Sequence, residues 1–253
     1  MPKSFSSARQ EAGGLHAASG ANGWAPLPPP NAPLPKGRHA LPPGVVSTVQ
    51  RERLIRAMLL EAGDRGYDST SVQRVLERAG TSRRAFYENF ANKEECFLAA
   101  YRATGGDVIE RMSIAASDQR EWRLRLRAAL DALLSFLDDE PAIAGALFIE
   151  VHAAGASAAH ARIDLMRRMA ALVSPSAATD RNEGRLNGGD VGRSSMTADG
   201  VVGGIDSAIR NRLRDETGWS CSELLPELMY FAVLAYEGPE AAVAELDRVT
   251  SSN

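Results

Sequence analysis

Apolar positions recur at a helical period along most of the chain. Ile55, Met58, Leu59 and Ala62 fall on one face of a first helix that starts near Ser47, with Arg51, Arg53 and Glu61 elsewhere and Gly66 as its stop. Thr70-Ser71-Val72-Gln73 reads as a capping box, a hydroxyl followed three residues later by Gln. Val72, Val75, Leu76 and Ala79 then carry the stripe of a second helix, which Gly80-Thr81 breaks. Ser82 can cap a short third helix through Tyr87. Asn92, with Glu95 as its box partner, opens a fourth that runs past Met112.

The remainder reads the same way. Glu121 to Leu137 is amphipathic, with Leu126, Leu130, Leu133, Leu134 and Leu137 on one side. Pro141 starts a helix carrying Ile143, Leu147, Phe148 and Val151, and Ala156 to Val173 forms another. Residues 174–198, rich in Gly, Ser, Asn and Asp, read as a mobile loop. Two long helices follow, Asp199–Thr217 and Cys221–Tyr236, then a short one from Pro239 to Val249. No strand alternation stands out, so the fold class is all-α. Residues 1–44 hold Pro, Gly, Ala and Ser and few large apolar side chains, and read as a flexible arm ending in the basic Lys36-Gly37-Arg38-His39.

Composition narrows the class. Forty-four per cent apolar residues in a chain of 253 suffice for a real core. No apolar run approaches the roughly 20 residues needed to span a bilayer, and the N-terminus does not read as a signal peptide. Cys96 and Cys221 are the only cysteines, without metal-site spacing. These features point to a cytoplasmic protein with no membrane, no metal and no cofactor. The net charge of −3 is unevenly spread: residues 1–90 carry 12 Lys and Arg against 7 Asp and Glu, the remainder 17 against 25. A basic N-terminal third on an acidic body suits a protein that meets phosphates at one end.

The segment 70–90 has the parts of a helix-turn-helix: a packed helix, a Gly-containing turn and a second helix with a polar, cationic outer face. Phe86 and Phe90 read as core, while Ser82, Arg83, Arg84, Tyr87 and Asn89 can face DNA. An Arg in the first turn of such a helix reaches guanine O6 and N7 with paired hydrogen bonds. A hydroxyl at the helix start suits a phosphate. Arg74 and Arg78 on the supporting helix read as solvated charges.

Gly66-Tyr67-Asp68-Ser69-Thr70-Ser71-Val72 and the run from Ala79-Gly80-Thr81-Ser82-Arg83-Arg84-Ala85-Phe86-Tyr87 through Glu88-Asn89-Phe90-Ala91-Asn92-Lys93-Glu94 resemble the TetR family of regulators, over about residues 48–101. The resemblance implies a three-helix DNA-binding domain over 45–92 and a helical effector-binding and dimerisation domain over 93–253. It further implies a homodimer pairing through the helices near 199–217 and 221–236, a palindromic double-stranded DNA operator, and a small-molecule effector. Repression is the family's commoner mode. Position by position, Thr70 and Ser71 would touch phosphate and Gln73 a base or the backbone. Arg83 and Arg84 would read bases, with Ala85 near a thymine methyl. Tyr87 would bond to phosphate or pack on a base edge, and Asn89 and Lys93 would hold backbone. Glu88 departs from the family's pattern. Arg38, with Lys36, is expected to reach the minor groove, as arms of other DNA readers do.

An effector pocket needs an apolar cavity with a few polar groups. Trp122, Phe136, Phe148, His152, Met166 and Met169 are its candidates, and each fits plain core as well. The effector class stays open between a hydrophobic drug-like molecule, an acyl thioester and a lipid. Val201, Ile205, Ile209 and Leu213 form one apolar stripe and Leu224, Leu225, Leu228, Phe231, Ala232 and Ala235 a second; such stripes are either core within one chain or an oligomer seam. An enzyme is the rival reading, but no nucleophile elbow, zincin motif, P-loop or Rossmann fingerprint occurs in suitable context. Gly188-Gly189-Asp190-Val191-Gly192 lacks a preceding strand. A ligand-binding helical protein without specific DNA readout is the other alternative.

Overall fold

The computed structural model describes residues 43–175, 188–215 and 220–250. Ten α-helices occupy them: α1 Pro43–Arg65, α2 Val72–Ala79, α3 Arg83–Asn89, α4 Lys93–Ser117, α5 Trp122–Asp139, α6 Pro141–Phe148, α7 Ala156–Val173, α8 Gly188–Arg214, α9 Leu225–Glu237 and α10 Pro239–Thr250. Single 3₁₀ turns at Glu150–His152 and Cys221–Leu224 precede α7 and α9. The described residues contain no strand, and none of their helices is long and apolar enough alone to cross a membrane.

Helices α1, α2 and α3 pack on one another around Leu54, Met58, Val75, Leu76 and Phe86, all buried. Phe97 and Tyr101 extend that core along α4, which leads into the second domain. There α4 packs on α5 and α7, α7 on α8, and α9 on α10. Arg123 and Arg127 of α5 bind Glu245 of α10, whose side chain is fully buried. A lone buried carboxylate would be costly, and two guanidinium partners offset that cost.

Several expectations change. Arg53 and Glu61, read as lying off the apolar face of the first helix, are buried all the same. Glu61 sits between Arg65 at 3.4 Å and Arg78 at 3.1 Å, and Arg78 also meets Asp64 at 2.7 Å. Arg78 therefore ties α2 to α1 and is not a free surface charge. The cap falls one residue later than expected and no reciprocal box forms, because Arg74 stands three residues after Ser71 and Gln73 bonds Glu77. Ser71 Oγ accepts from the Arg74 N–H at 3.3 Å, while Thr70 is buried and its hydroxyl donates to the Gly66 carbonyl at 2.9 Å.

The expected loop over 174–198 is also shorter than its composition suggests. Residues 176–187 lie outside the described set, but α8 already begins at Gly188, so the glycine cluster 188–192 is helical. Ala198 is buried, so packing anchors this helix before Asp199 and outweighs the poor helix propensity of Gly and Ser. The expected end at Thr217 falls outside the described residues. On α8, Val201, Ile205 and Ile209 are buried within the chain, so that stripe is core. Phe231 and Leu234 of α9 stay 40% and 38% exposed.

Candidate nucleic-acid interface

The helix-turn-helix is built from three caps. Ser71 ends the extended approach to α2, and Gly80 leaves it in the left-handed region at φ 61°. The Thr81 N–H then reaches back to the Leu76 carbonyl at 3.2 Å, which satisfies a terminal acceptor. Ser82 opens α3 by accepting from the Ala85 N–H at 3.1 Å. The underside of α3 is fixed by Phe86, whose ring meets Phe90 at 5.8 Å and Tyr87 at 5.4 Å. Arg51 of α1 stacks over the Phe90 ring at 4.7 Å. Asn92 and Glu95 form the reciprocal start of α4: Glu95 N–H donates to Asn92 Oδ1 at 2.9 Å, and Ala91 N–H donates to Glu95 Oε2 at 2.6 Å.

This frame leaves Ser71, Gln73, Ser82, Arg83, Arg84 and Tyr87 exposed. Among the described residues Arg83 has no ion-pair partner, whereas Arg84 Nε binds Glu88 Oε1 at 2.7 Å across one turn. Both partners of that pair are exposed, so a phosphate or base can replace Glu88 at little cost. Gln73 is held by Glu77 in the same way, at 2.8 Å.

Other candidates are less available. Thr70 and Ala85 are 3% and 4% exposed, so neither the Thr70 hydroxyl nor the Ala85 methyl is presented to a groove. Asn89 Nδ2 donates to the Ala85 carbonyl at 2.8 Å, leaving its amide oxygen. Lys93 Nζ donates to the Tyr67 carbonyl at 3.0 Å and lies 4.1 Å above the Tyr67 ring. Tyr67 is buried and edges onto Phe97, an anchor that the helical periodicity did not single out. Arg38 and Lys36 lie outside the described residues.

In the second domain a small cavity of about 10 Å³, room for about one water, is lined by Met112, Leu130, Phe148, Met166, Met169 and Ile205, among others. Three of the six pocket candidates, Phe148, Met166 and Met169, therefore meet at it. Trp122 instead donates to the Val173 carbonyl at 2.9 Å and packs edge-on against Tyr236 at 5.2 Å. Phe136 lies under Arg111 at 5.5 Å. His152 is exposed at the 3₁₀ turn. Partial burial of its ring, then Arg162 and Arg210, hold its pKa below the ordinary value. Among the described residues no three His, Cys, Asp or Glu side chains gather to hold a metal ion.

Residues 54–100 match the family of bacterial regulatory proteins known as the tetR family. Over that segment the chain is similar to the DNA-binding part of TetR-type regulators. FasR of Mycolicibacterium smegmatis, described as an HTH-type transcriptional activator, is 30% identical over 77 residues. That alignment spans 30% of this chain and only 35% of FasR. Among solved structures, the fatty acid degradation regulator FadR from Bacillus halodurans superposes with a TM-score of 0.61 at 12% identity, over 72% of this chain and 94% of that one. FadR from Bacillus subtilis in complex with stearoyl-CoA gives 0.58 at 15%, over 74% and 98%. A TetR-like regulator from Rhodococcus sp. RHA1 gives 0.56 at 21%, over 79% and 100%. The two-domain helical TetR fold thus extends past the matched N-terminal segment.

Proposed function

We propose that the protein is a sequence-specific transcriptional regulator that binds a palindromic operator as a homodimer and is controlled by a small hydrophobic effector. The observation that carries this reading is α3 itself. Its inner face is locked by Phe86, while Arg83, Arg84 and Tyr87 project together from its outer face. Paired hydrogen bonds from Arg to a guanine edge discriminate by about 1–3 kcal/mol. Ser71 and Ser82 serve as phosphate anchors, with Gln73, Asn89 and Lys93 beside them. The arm through Arg38 adds a minor-groove contact, and the protein works in the cytoplasm.

The partly exposed apolar side chains of α9, Phe231 and Leu234, support a dimer seam there. Gly204 of α8 lies against the Phe231 ring, where an added Cβ would stand 2.5 Å from Cε1, so α8 and α9 approach the seam as one packed unit. An effector that widened this cavity would touch Phe148, on the same eight-residue helix whose other end meets α1. Glu140, which caps that other end, takes two bonds from Arg56, at 2.8 and 3.1 Å. Just beyond α6, Glu150 accepts from the Tyr67 N–H at 2.6 Å. A shift of α6 would therefore reposition α1 and the recognition helix resting on it, and an effector that favours the shifted state weakens operator binding.

Repression with release by the effector is the primary mode; activation is the second reading, favoured by the activator FasR. A mobility-shift assay with DNA flanking the protein's own gene, at fixed salt, tests the proposal. A discrete band that stearoyl-CoA or another long-chain acyl compound dissolves supports it; no band from any fragment counts against DNA regulation altogether.

A further inference from the structure

Both backbone polar groups of Tyr67 are held by charged side chains from elsewhere in the chain. Its N–H donates to Glu150 Oε2 at 2.6 Å, and its carbonyl accepts from Lys93 Nζ at 3.0 Å, the same ammonium that lies 4.1 Å above its ring. The carbonyl also accepts from the Thr70 N–H at 3.1 Å, and the Thr70 hydroxyl donates to the Gly66 carbonyl. This turn leads directly to Ser71, the cap of α2. The placing of Tyr67 therefore sets the placing of Ser71 and Gln73.

The two charged partners have different origins. Lys93 opens α4, 26 residues further on, whereas Glu150 is 83 residues away in the 3₁₀ turn that follows α6. Local attraction does not explain where Glu150 sits. Among the described residues its side chain makes no ion pair and takes no other hydrogen bond. It stands at the C-terminal end of α1, where a Cβ on Gly66 would be 3.5 Å from Oε2, and the helix dipole disfavours an anion there. The last bond of α1 runs from the Gly66 N–H to the Ala62 carbonyl. With Gly66 in the left-handed region at φ 87°, the next N–H, that of Tyr67, leaves the ladder and meets the carboxylate. A charged acceptor makes this bond stronger than a neutral one would.

Building on the regulator reading above, we infer that Glu150 is a positioning residue for DNA binding: it fixes Tyr67 from the second domain, and Tyr67 in turn fixes the start of α2 and aims Lys93. Glu150 itself touches no DNA. Movement of the 3₁₀ turn reaches the helix-turn-helix through this bond directly, without passing through the α1–α6 junction. Lys93 spends one of three N–H donors on Tyr67 and keeps the others for phosphate. A Tyr67 that is free to turn no longer aims the ammonium, so Glu150 and Lys93 act as a unit and their losses do not add.

A double-mutant cycle on the full chain tests this, with DNA flanking the protein's own gene as the probe at fixed salt. Exchange of the Tyr67 amide proton is followed on the same preparations without DNA. Glu150→Ala is expected to weaken DNA binding about tenfold, and Glu150→Gln, which keeps an acceptor, by about twofold or less. In a Lys93→Met background Glu150→Ala should cost no more than about threefold. The Tyr67 amide should exchange at least about tenfold faster in Glu150→Ala, with most of its protection regained in Glu150→Gln. Equal losses in the Ala and Gln variants, additive losses with Lys93→Met, or unchanged Tyr67 exchange in Glu150→Ala overturns the inference. Faster Tyr67 exchange in a protein whose wild type binds no fragment overturns the regulator reading instead, and leaves Glu150 as the anchor of the turn.

Discussion

Gly63 of α1 and Ala142 of α6 are in backbone contact: a Cβ placed on Gly63 would lie 1.7 Å from the Ala142 carbonyl oxygen. Nothing flexible stands there to move aside, so α6 itself would have to shift. Gly63→Ala is expected to destabilise the fold by about 1–3 kcal/mol, a fall in Tm of roughly 3–10 °C. Gly200→Ala, where an added Cβ meets nothing within 4 Å, should be neutral or slightly stabilising. Thermal melts of the two variants check the contrast. A tolerated Gly63→Ala would remove the tight α1–α6 junction from the account of coupling.

Arg84 is engaged by Glu88 and Arg83 is not. Arg83→Ala should lose about tenfold in operator affinity, in line with one bidentate base contact. Glu88→Gln frees Arg84 and removes a negative charge facing the DNA, so affinity should rise a few-fold, most visibly at low salt. Weaker binding by Glu88→Gln would show that Glu88 positions Arg84 instead of competing for it.

Lys93 uses one of its three N–H donors on the Tyr67 carbonyl. If the others reach phosphate, Lys93→Met lowers the salt slope of DNA binding by about one. It should also lower Tm, because the cation over the Tyr67 ring is lost. A lower Tm with an unchanged slope would assign Lys93 to the fold alone.

Burial pushes the Cys96 thiol up to about 12, and also raises Cys221, so neither forms much thiolate near neutrality. Both side chains are buried. A disulfide reagent at pH 8 should leave both thiols of the native protein unmodified over minutes, and titrate both at once in guanidinium. Rapid modification of the native protein would show that the core around Leu54 and Cys96 opens readily.

The helix-turn-helix was legible because its signals are local. Ser82, Gly80 and Asn92 act through neighbours at most five residues away, and Phe86 and Phe90 stand at helical spacing. Thr70 misled because two adjacent hydroxyls compete for one cap, and only packing decides which turns inward. Ala85 is hidden by a tertiary contact that no spacing reports. The second domain was harder to read. Asp206 lies on α8 at the i+4 position from Val202, and nothing in the reading of that stripe singled it out. Its partner Arg162 is 44 residues away, so the pair emerges only when α7 meets α8. The glycines at 188–192 suggested loop, yet the helix they belong to is anchored by Ala198 and Val201 further along.

The central claim is that the outer face of α3 reads DNA sequence in a two-fold assembly. Selection of bound sites from a random DNA pool at fixed salt, followed by footprinting, tests it most directly. The account predicts one enriched palindrome, with half-sites about one helical turn or a multiple of it apart and protected on successive major grooves, which Arg83→Ala with Arg84→Ala abolishes. A pool with no enriched motif, or a motif bound equally well by that double variant, would contradict it.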